Sequence, residues 1–308
     1  MNLSQQRAAL LPYALMLLMN AVWGASYSGI KLGLEHFSPL GLVMVRFWVA
    51  VLCLAPLVRT NWKDIRTTMV PGVLTGLALL SGYVLQAFGM TETSASMGGF
   101  LAGLIVLLVG LGAWLLFREP LTGRSVVGIV FGLAGLVLLC SSGADPSEGG
   151  SVDTMRGILL QIGSSCCFAA HILMISRLSP LPDLDSLAEG RVVRPDVTYC
   201  MWQLLTVSVG SSLILLAAGQ PTFGAVPLDA STWVELGYLG VVATAIGIAV
   251  QSRYQPLVRP SHLALLFATQ PGFAALGGWL LMGDRMFWQH GIGSLCIVAG
   301  IVISARRD

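Results

Sequence analysis

The sequence predicts an all-α integral membrane protein, with ten transmembrane helices arranged as two inverted five-helix repeats around a central cavity. Its composition, an internal repeat and the distribution of cations predict this fold. Of the 308 residues, 55% are hydrophobic and 10% are charged, whereas a soluble domain carries about 25% charged residues. The mean hydropathy is +0.80. A net charge of +2 without a basic stripe argues against a nucleic-acid partner and leaves the lipid bilayer as the expected surroundings.

Ten stretches of the chain are long and apolar enough to cross a bilayer, because a transmembrane helix needs about 20 apolar residues. The 36 glycines fit the close helix packing that small residues allow in membranes. The first stretch follows a short polar head like that of a signal peptide. It is longer than a signal h-region, so we expect it to be retained. The predicted spans are 10–31, 39–58, 68–89, 94–117, 122–141, 154–178, 197–218, 232–253, 260–282 and 287–305.

An internal repeat relates residues 86–139 to residues 251–304 at a constant offset of 165 positions. The run Gly112–Leu116 of the first copy corresponds to Gly277–Leu281 of the second, and both runs contain a tryptophan followed by two leucines. A duplicated unit of five spans accounts for this spacing. The predicted regions are a first five-helix repeat over 1–143, a periplasmic seam over 144–153 and a second, inverted repeat over 154–308.

The distribution of cations predicts the orientation in the membrane. With ten spans both termini fall on one side, and 13 of the 17 lysines and arginines lie on that side. Lys31, Arg156 and Arg285 lie on the other side, and Arg46 lies inside the second span. Basic loops stay cytoplasmic, so we expect both termini in the cytoplasm and the chain in the plasma membrane, the inner membrane of a bacterium. A duplicated unit of five spans must enter inverted, and inverted repeats are typical of secondary transporters.

Several motifs recur in both halves or at matching depths. The first predicted helix contains Trp23-Gly24 and the second contains Arg46. The fourth helix of each half contains a tryptophan and is followed by an acidic residue, Glu119 or Asp284. With the glycine-rich fifth helices, this pattern resembles the EamA-type drug/metabolite transporter superfamily. Within it, the narrower resemblance is to amino-acid exporters of the YddG type.

The resemblance implies a central cavity between the two halves, peripheral fifth and tenth helices, and export of a small metabolite. It also implies that the chain is not an enzyme. The family often has a proline in the middle of the fourth helix of each half. Here Pro271 fits in the second half, but Val106 stands at the matching position of the first. We therefore expect the two halves to differ at that point.

Polar and aromatic residues on single faces of apolar helices mark the candidate site. On the first helix Trp23, Tyr27 and Lys31 share one face with Asn20. Such a face should point to protein or to a water-filled cavity rather than to lipid. The predicted substrate-binding residues are Trp23, Tyr27, Lys31, Arg46, Tyr83, Gln86, Gln161, Phe168, His171 and Gln270, with Pro271 as the helix break.

These residues suggest distinct roles and also have structural alternatives. The aromatic rings would form apolar walls, and the amides and the histidine would hydrogen-bond the substrate. Lys31 or Arg46 would attract a substrate carboxylate. Alternatively, Lys31 snorkels to the interface, Arg46 bonds carbonyls at a helix end, and His171 is a satisfied core histidine. Gln270 then precedes a simple kink.

The predicted function is a secondary transporter that exports small metabolites by alternating access. The wall chemistry fits amino acids, including those with aromatic or bulky apolar side chains. A channel or lipid scramblase is the alternative, and an integral-membrane enzyme using His36, His171 or His290 is less favoured. No Walker motif indicates an ATP-driven pump.

Three further features of the sequence carry expectations for the structure. The six cysteines have no zinc-binding spacing, so neither a metal site nor a cofactor is expected. We expect no carboxylate deep inside a span. The longest loop, 179–196, holds four acidic residues and two arginines, and we interpret it as a solvated connector.

Overall fold

The computed structural model describes residues 3–58, 62–118, 123–140, 153–180, 194–224, 229–258, 260–283 and 288–305. Across these ranges the chain is almost wholly helical, and the one isolated β-bridge there joins Phe37 to Phe223. The α-helices in chain order are α1 (Leu3–His36), α2 (Pro39–Leu54), α3 (Trp62–Thr91), α4 (Ala95–Ala102), α5 (Leu104–Phe117), α6 (Gly123–Cys140), α7 (Met155–Leu178), α8 (Arg194–Ala217), α9 (Ala230–Gly237), α10 (Gly247–Tyr254), α11 (Pro260–Phe267), α12 (Gln270–Gly277) and α13 (Trp288–Ala305).

Seven helical segments of the described residues are long and apolar enough to cross a membrane. The all-α, multi-pass class predicted from the sequence is therefore confirmed, whereas the count of ten spans and their inverted arrangement stay predictions. Residues 144–152 of the seam and 181–193 of the longest loop lie outside the described ranges, as do Glu119, Asp284 and Arg285. The seven segments are Leu10–His36, Pro39–Leu57, Trp62–Thr91, Met97–Phe117, Met155–Leu178, Asp196–Ala217 and Ala230–Leu257.

Two of the helical rods are interrupted near their middle, at positions that the sequence repeat relates. Gly103 separates α4 from α5, and two residues beginning at Ala268 separate α11 from α12. Gly103 and Ala268 are 165 positions apart. Pro271 falls in the first turn of α12. Backbone N–H groups in a first turn have no acceptor within the helix, so the missing N–H of proline costs no helical hydrogen bond there. Gly103 thus interrupts the first half without a proline, so breaks begin at matching positions although only the second half has the proline.

The same two rods also end alike. α5 is capped by Arg118 in the left-handed region, with φ of 54°. The rod of α12 continues as a π-helical turn over Gly278–Met282 and is capped by Gly283 with φ of 71°. These caps are again 165 positions apart. Glycine adopts this conformation without strain, whereas Arg118 carries a modest steric cost there.

A π-helical stretch, Tyr238–Ile246, joins α9 to α10. Within it the Thr244 hydroxyl donates to the Leu239 carbonyl, five residues earlier, at 2.7 Å. Such stretches leave backbone groups open to other partners and are frequent at functional sites. Here the Leu239 carbonyl also accepts from Arg46 of α2 at 3.2 Å.

The start of α9 is fixed by a capping box around Asp229. Its carboxylate accepts hydrogen bonds from the Ser231 hydroxyl at 2.6 Å and from the Thr232 backbone N–H at 2.8 Å. These bonds favour the ionised form and hold the pKa of Asp229 well below its usual range. The cap sets where this segment enters the helical bundle.

Close packing between helices positions the central cavity. α1 packs on α12, α3 on α7 and α8, α2 on α8 and the π-helical stretch, and α6 on α13. A Cβ at Gly24 would lie 2.6 Å from Phe273 Cβ and 2.7 Å from the Gln270 carbonyl oxygen, so only glycine lets α1 approach α12 this closely. Gly300 plays the same part between α13 and α6, because a Cβ there would lie 2.5 Å from the Gly128 carbonyl oxygen.

Candidate functional site

A cavity lies among the middle portions of the helices from both halves of the chain. Its walls combine five aromatic rings with polar side chains, and no carboxylate is among the described residues that line it. The lining residues are Trp23, Ser26, Tyr27, Leu79, Tyr83, Gln86, Ile105, Phe168, His171, Ile172, Ile248, Gln251, Phe267 and Gln270.

The aromatic walls are pairs of rings contributed by different helices. Trp23 of α1 stacks on Phe267 of α11, with centroids 6.0 Å apart and planes 8° apart. Tyr83 of α3 meets Phe168 of α7 edge to face at 5.1 Å. The Trp23 indole N–H donates to the Ala243 carbonyl at 2.8 Å. That ring therefore offers the cavity apolar surface rather than a hydrogen-bond donor.

The polar face of α7 divides between helix packing and the cavity. Gln161 donates to the Gln86 backbone carbonyl at 3.3 Å, and Ser164 donates to the Gly82 carbonyl at 2.9 Å. These bonds hold α7 against α3. Further along the same face, Phe168 and His171 line the cavity. The face predicted from spacing is real, but only its last turn reaches the cavity.

The structure gives the buried cation Arg46 neutral partners. Its Nε donates to the Leu239 carbonyl and the Thr244 hydroxyl, and its Nη2 lies 3.5 Å from the Tyr83 hydroxyl. Its guanidinium carbon lies 4.8 Å from the centre of the Tyr83 ring. Arg46 therefore lies behind Tyr83, and its own side chain is buried and absent from the described lining of the cavity.

Lys31 lies away from the cavity, at the end of α3. Its Nζ donates to the Met90 and Thr93 carbonyls at 2.9 and 2.8 Å. A cation at the C-terminal end of a helix is favourable, because the unpaired carbonyls there carry partial negative charge. Lys31 therefore bonds helix-end carbonyls, a set of partners that neither interpretation of this residue had named.

Two groups of polar contacts join the helices beyond the two ends of the cavity. At one end the starts of α4 and α7 meet the end of α3: Arg156 forms a salt bridge with Glu92 at 2.9 Å, and the Thr154 hydroxyl donates to Glu92 at 2.6 Å. The Ser94 N–H donates to Asp153 at 2.7 Å. We call this group of residues the Glu92 end.

At the opposite end, a hydrogen-bonded chain links α7, α8 and α10. His171 Nε2 lies 2.7 Å from Gln203 Oε1, and Gln203 Nε2 donates to the Ser252 hydroxyl at 2.9 Å. The next residue, Arg253, lies 3.8 Å from the Asp196 carboxylate. We call this group of five residues the Arg253 end. It begins at a cavity-lining side chain and runs to the start of α8.

Asp196 corrects the interpretation of the longest loop. The sequence placed it in a solvated connector, but it lies in the first turn of α8 and is buried. Its carboxylate lies near Arg253, whose charge offsets part of the cost of burying it. Asp196 is the first residue of its apolar span, so the expectation of no carboxylate deep inside a span is not contradicted by it.

The predicted site residues thus fall into two groups. Three of the ten have other partners and are absent from the described lining: Lys31, Arg46 and Gln161. The seven brought together around the cavity are Trp23, Tyr27, Tyr83, Gln86, Phe168, His171 and Gln270, with Pro271 next to Gln270. Whether they bind substrate stays a prediction.

Sequence reasoning passed over two residues that the structure makes prominent. Phe267 lies one turn before Gln270, a spacing that places both on the same side of the broken helix. Gln203 is an amide in the middle of an apolar stretch, which is a signal of an internal partner. Both signals were present in the sequence.

Comparison with known proteins decides the family. Residues 10–141 and again residues 155–306 match the model of the EamA-like transporter family. The chain belongs to this family. It is therefore a multi-pass membrane transporter rather than an enzyme, as the sequence predicted.

Relatives of this EamA-family chain are similar over nearly its full length. An uncharacterized transporter of Archaeoglobus fulgidus is 24% identical over 94% of this chain and 84% of its own. A probable amino-acid metabolite efflux pump of Salmonella typhimurium is 25% identical over 94% of this chain and 93% of its own. A solved crystal structure with 19% identity has a TM-score of 0.71 and covers 97% of both chains, which supports the same fold.

Proposed function

We propose that this transporter exports amino acids with aromatic or bulky apolar side chains, by alternating access to the central cavity. The observation that carries this proposal is the lining itself, in which aromatic pairs such as Trp23 with Phe267 stand beside His171 and Gln270. Aromatic rings favour an apolar side chain, and the polar groups suit a small charged head. The efflux pump among the relatives supports the amino-acid class.

The proposal includes two inverted repeats, over 1–143 and 154–308, joined by the seam at 144–153. The family model matches twice, once in each repeat. The interrupted rods and their left-handed caps share the offset of 165 positions. Exchanging the repeats also turns the contact of α1 with α12 into that of α7 with α5, and both contacts are present. A shared architecture of the two halves explains these correspondences.

The orientation follows from the cations and has a direct test. We propose cytoplasmic termini in a bacterial inner membrane, so the Glu92 end faces outward and the Arg253 end faces the cytoplasm. In a background without native cysteines, Met155→Cys should react with an impermeant thiol reagent on intact cells. Lys63→Cys, exposed at the start of α3, should react only after permeabilisation. Labelling of Lys63→Cys in intact cells would reverse the orientation.

Counterflow in proteoliposomes tests the transport activity. Vesicles loaded with unlabelled L-phenylalanine should accumulate labelled L-phenylalanine transiently, without any imposed ion gradient. Phe168→Ala should reduce this flux about tenfold, because the removed ring lines the cavity. Phe131→Ala is the matched control, since Phe131 is exposed on α6. Flux that neither saturates nor shows counterflow would favour a channel or a scramblase, and absence of amino-acid flux would refute the proposed substrate class.

A further inference from the structure

A second pocket, separate from the central cavity, lies between α6 and the two interrupted rods. Its lining includes the residue at which each rod is interrupted, Gly103 and Ala268, together with one face of α6. All of its described lining residues are apolar, and none of them lines the central cavity. We call this space the break pocket. The lining residues are Gly103, Val106, Leu107, Ile129, Gly132, Leu133, Ala268 and Pro271.

The break pocket exists because α6 packs closely on one side only. This helix packs extensively on α13 but only lightly on α4 and α5. The approach to α13 is close, since a Cβ at Gly300 would lie 2.5 Å from the Gly128 carbonyl oxygen. A Cβ at Gly132, one turn further along α6, would meet no atom of the described residues within 4 Å. The face of α6 that carries Gly132 therefore borders open space.

The backbone at the two breaks offers little to a water molecule. The Gly103 N–H donates to the Phe100 carbonyl at 2.9 Å, and the Val106 N–H donates to the Gly103 carbonyl at 3.2 Å. At the other break the Thr269 hydroxyl donates to the Leu266 carbonyl at 2.6 Å. A buried water needs about two to four polar partners. Because these groups are already paired and the lining is apolar, the break pocket suits an apolar occupant.

The position of the break pocket indicates where that occupant comes from. Six of the eight lining residues are half-exposed and form its rim, whereas Ala268 and Pro271 are buried and form its floor. Next to the rim, Val130 and Phe131 of α6 are 56% and 40% exposed, so this side of α6 meets the bilayer. The 18 residues of α6 span about 27 Å, close to the roughly 30 Å of the hydrocarbon core. Gly132 lies near the middle of α6, at the depth of the acyl chains.

We propose that the break pocket binds an acyl chain of a bilayer phospholipid, which enters beside Gly132 and ends against Ala268 and Pro271. An empty apolar space forfeits the dispersion contacts of the atoms that line it, and an acyl chain restores them. Both breaks border the pocket, so the chain contacts each rod at the point where its helix is interrupted. The ligand class is a phospholipid, recognised through its chain rather than its headgroup.

Photolabelling in a bilayer tests this site. The full chain is reconstituted in dioleoyl phosphatidylcholine vesicles that contain a small fraction of phosphatidylcholine with a diazirine midway along one acyl chain. After irradiation, mass spectrometry of the peptides locates the adducts. The buried floor residues Ala268 and Pro271 should carry adducts, and Leu115, which is 71% exposed, reports ordinary contact with the bilayer. In Gly132→Leu the ratio of floor adducts to Leu115 adducts should fall about tenfold, because the leucine occupies the space of the chain.

The matched control is Gly291→Leu. A Cβ at Gly291 would also meet no described atom within 4 Å, and this glycine lies in α13, outside the described lining of the break pocket. The adduct ratio should therefore stay at the wild-type value. A second variant, Leu133→Ala, widens the pocket and should raise the ratio. This opposite sign keeps the test decisive if Gly132→Leu does not fold.

The labelling pattern also separates a bound chain from ordinary bilayer contact. Adducts on Leu115 without adducts on Ala268 or Pro271 in the wild-type chain would mean annular contact only, and would overturn the proposal. Floor adducts that persist in Gly132→Leu, or fall equally in Gly291→Leu, would also overturn it, because the chain would not then lie beside Gly132. A phosphatidylcholine with its diazirine on the headgroup should leave both floor residues unlabelled, and floor adducts from that probe would refute recognition through the chain.

Discussion

Polar side chains join the helices at both ends of the cavity, but the ion pair is buried at one end and exposed at the other. At the Arg253 end the side chains of Arg253 and Asp196 are 9% and 5% exposed. At the Glu92 end those of Arg156 and Glu92 are 76% and 25% exposed. An exposed pair contributes about 0–1 kcal/mol because water screens it, whereas removing one member of a buried pair costs about 3–5 kcal/mol. Removing one member of the Arg156–Glu92 pair should therefore cost less free energy than removing one member of the Arg253–Asp196 pair.

The largest expected effect comes from removing Arg253. In Arg253→Met the buried Asp196 carboxylate loses its cation, and the free energy of unfolding should fall by about 3–5 kcal/mol. Denaturant-induced unfolding in detergent measures this change. Asp196→Asn combined with Arg253→Met should recover part of the loss, because no unpaired charge remains. Purely additive losses would mean that the two side chains act independently and that the Arg253 end is not held by their pairing.

A smaller effect is expected from Gln203→Leu, which interrupts the chain from His171 to Ser252. The buried His171 then lacks its partner, at a cost of about 1–3 kcal/mol. The native Cys200, buried on the same helix, reports the opening. Its reaction with a small maleimide should accelerate in the variant, while the exposed Cys53 reacts at an unchanged rate. An unaltered rate at Cys200 would show that Gln203 does not hold this end closed.

The smallest effect is expected at the Glu92 end, where the ion pair is exposed. Arg156→Ala should change the free energy of unfolding by less than about 1 kcal/mol. Added salt should shrink even this difference, because exposed charges are screened. Unfolding at low and high ionic strength provides the measurement. A loss above about 2 kcal/mol would remove the contrast between the ends, since Arg156 would then behave like a buried partner.

Local signals in the sequence were sufficient for the fold class and for much of the cavity lining. Composition alone predicted a multi-pass helical protein, and helical spacing placed Trp23 and Tyr27 on one face, where both now line the cavity. Such predictions depend on periodicity within one helix, which the sequence contains in full. Pro271 likewise marked a break because a proline acts on its own backbone.

Features that depend on a distant partner could not be predicted in the same way. Arg46 had two open interpretations, because its acceptor, the Leu239 carbonyl, lies 193 residues further along the chain. Asp196 was assigned to a loop, since its sequence neighbours are polar and its cation, Arg253, lies on another helix. The break at Gly103 could not be predicted, because Gly103 is one of many glycines in the chain. Tertiary contacts decide such cases, and no single window of sequence contains them.

The hydrogen bonds of Arg46 also have a consequence for biosynthesis, because their acceptors are synthesised much later than Arg46 itself. Its acceptors, the Leu239 carbonyl and the Thr244 hydroxyl, are made 193 and 198 residues later. At a translation rate of roughly 5–20 residues per second, α2 is complete about 10–40 s before either acceptor exists. Through that interval the nascent helix carries an unsatisfied guanidinium, which lipid headgroups, water or the insertion machinery must solvate. We therefore expect the second helix to stay near the membrane surface or the translocon until the π-helical stretch emerges, and slower elongation through the intervening segments to prolong that stage.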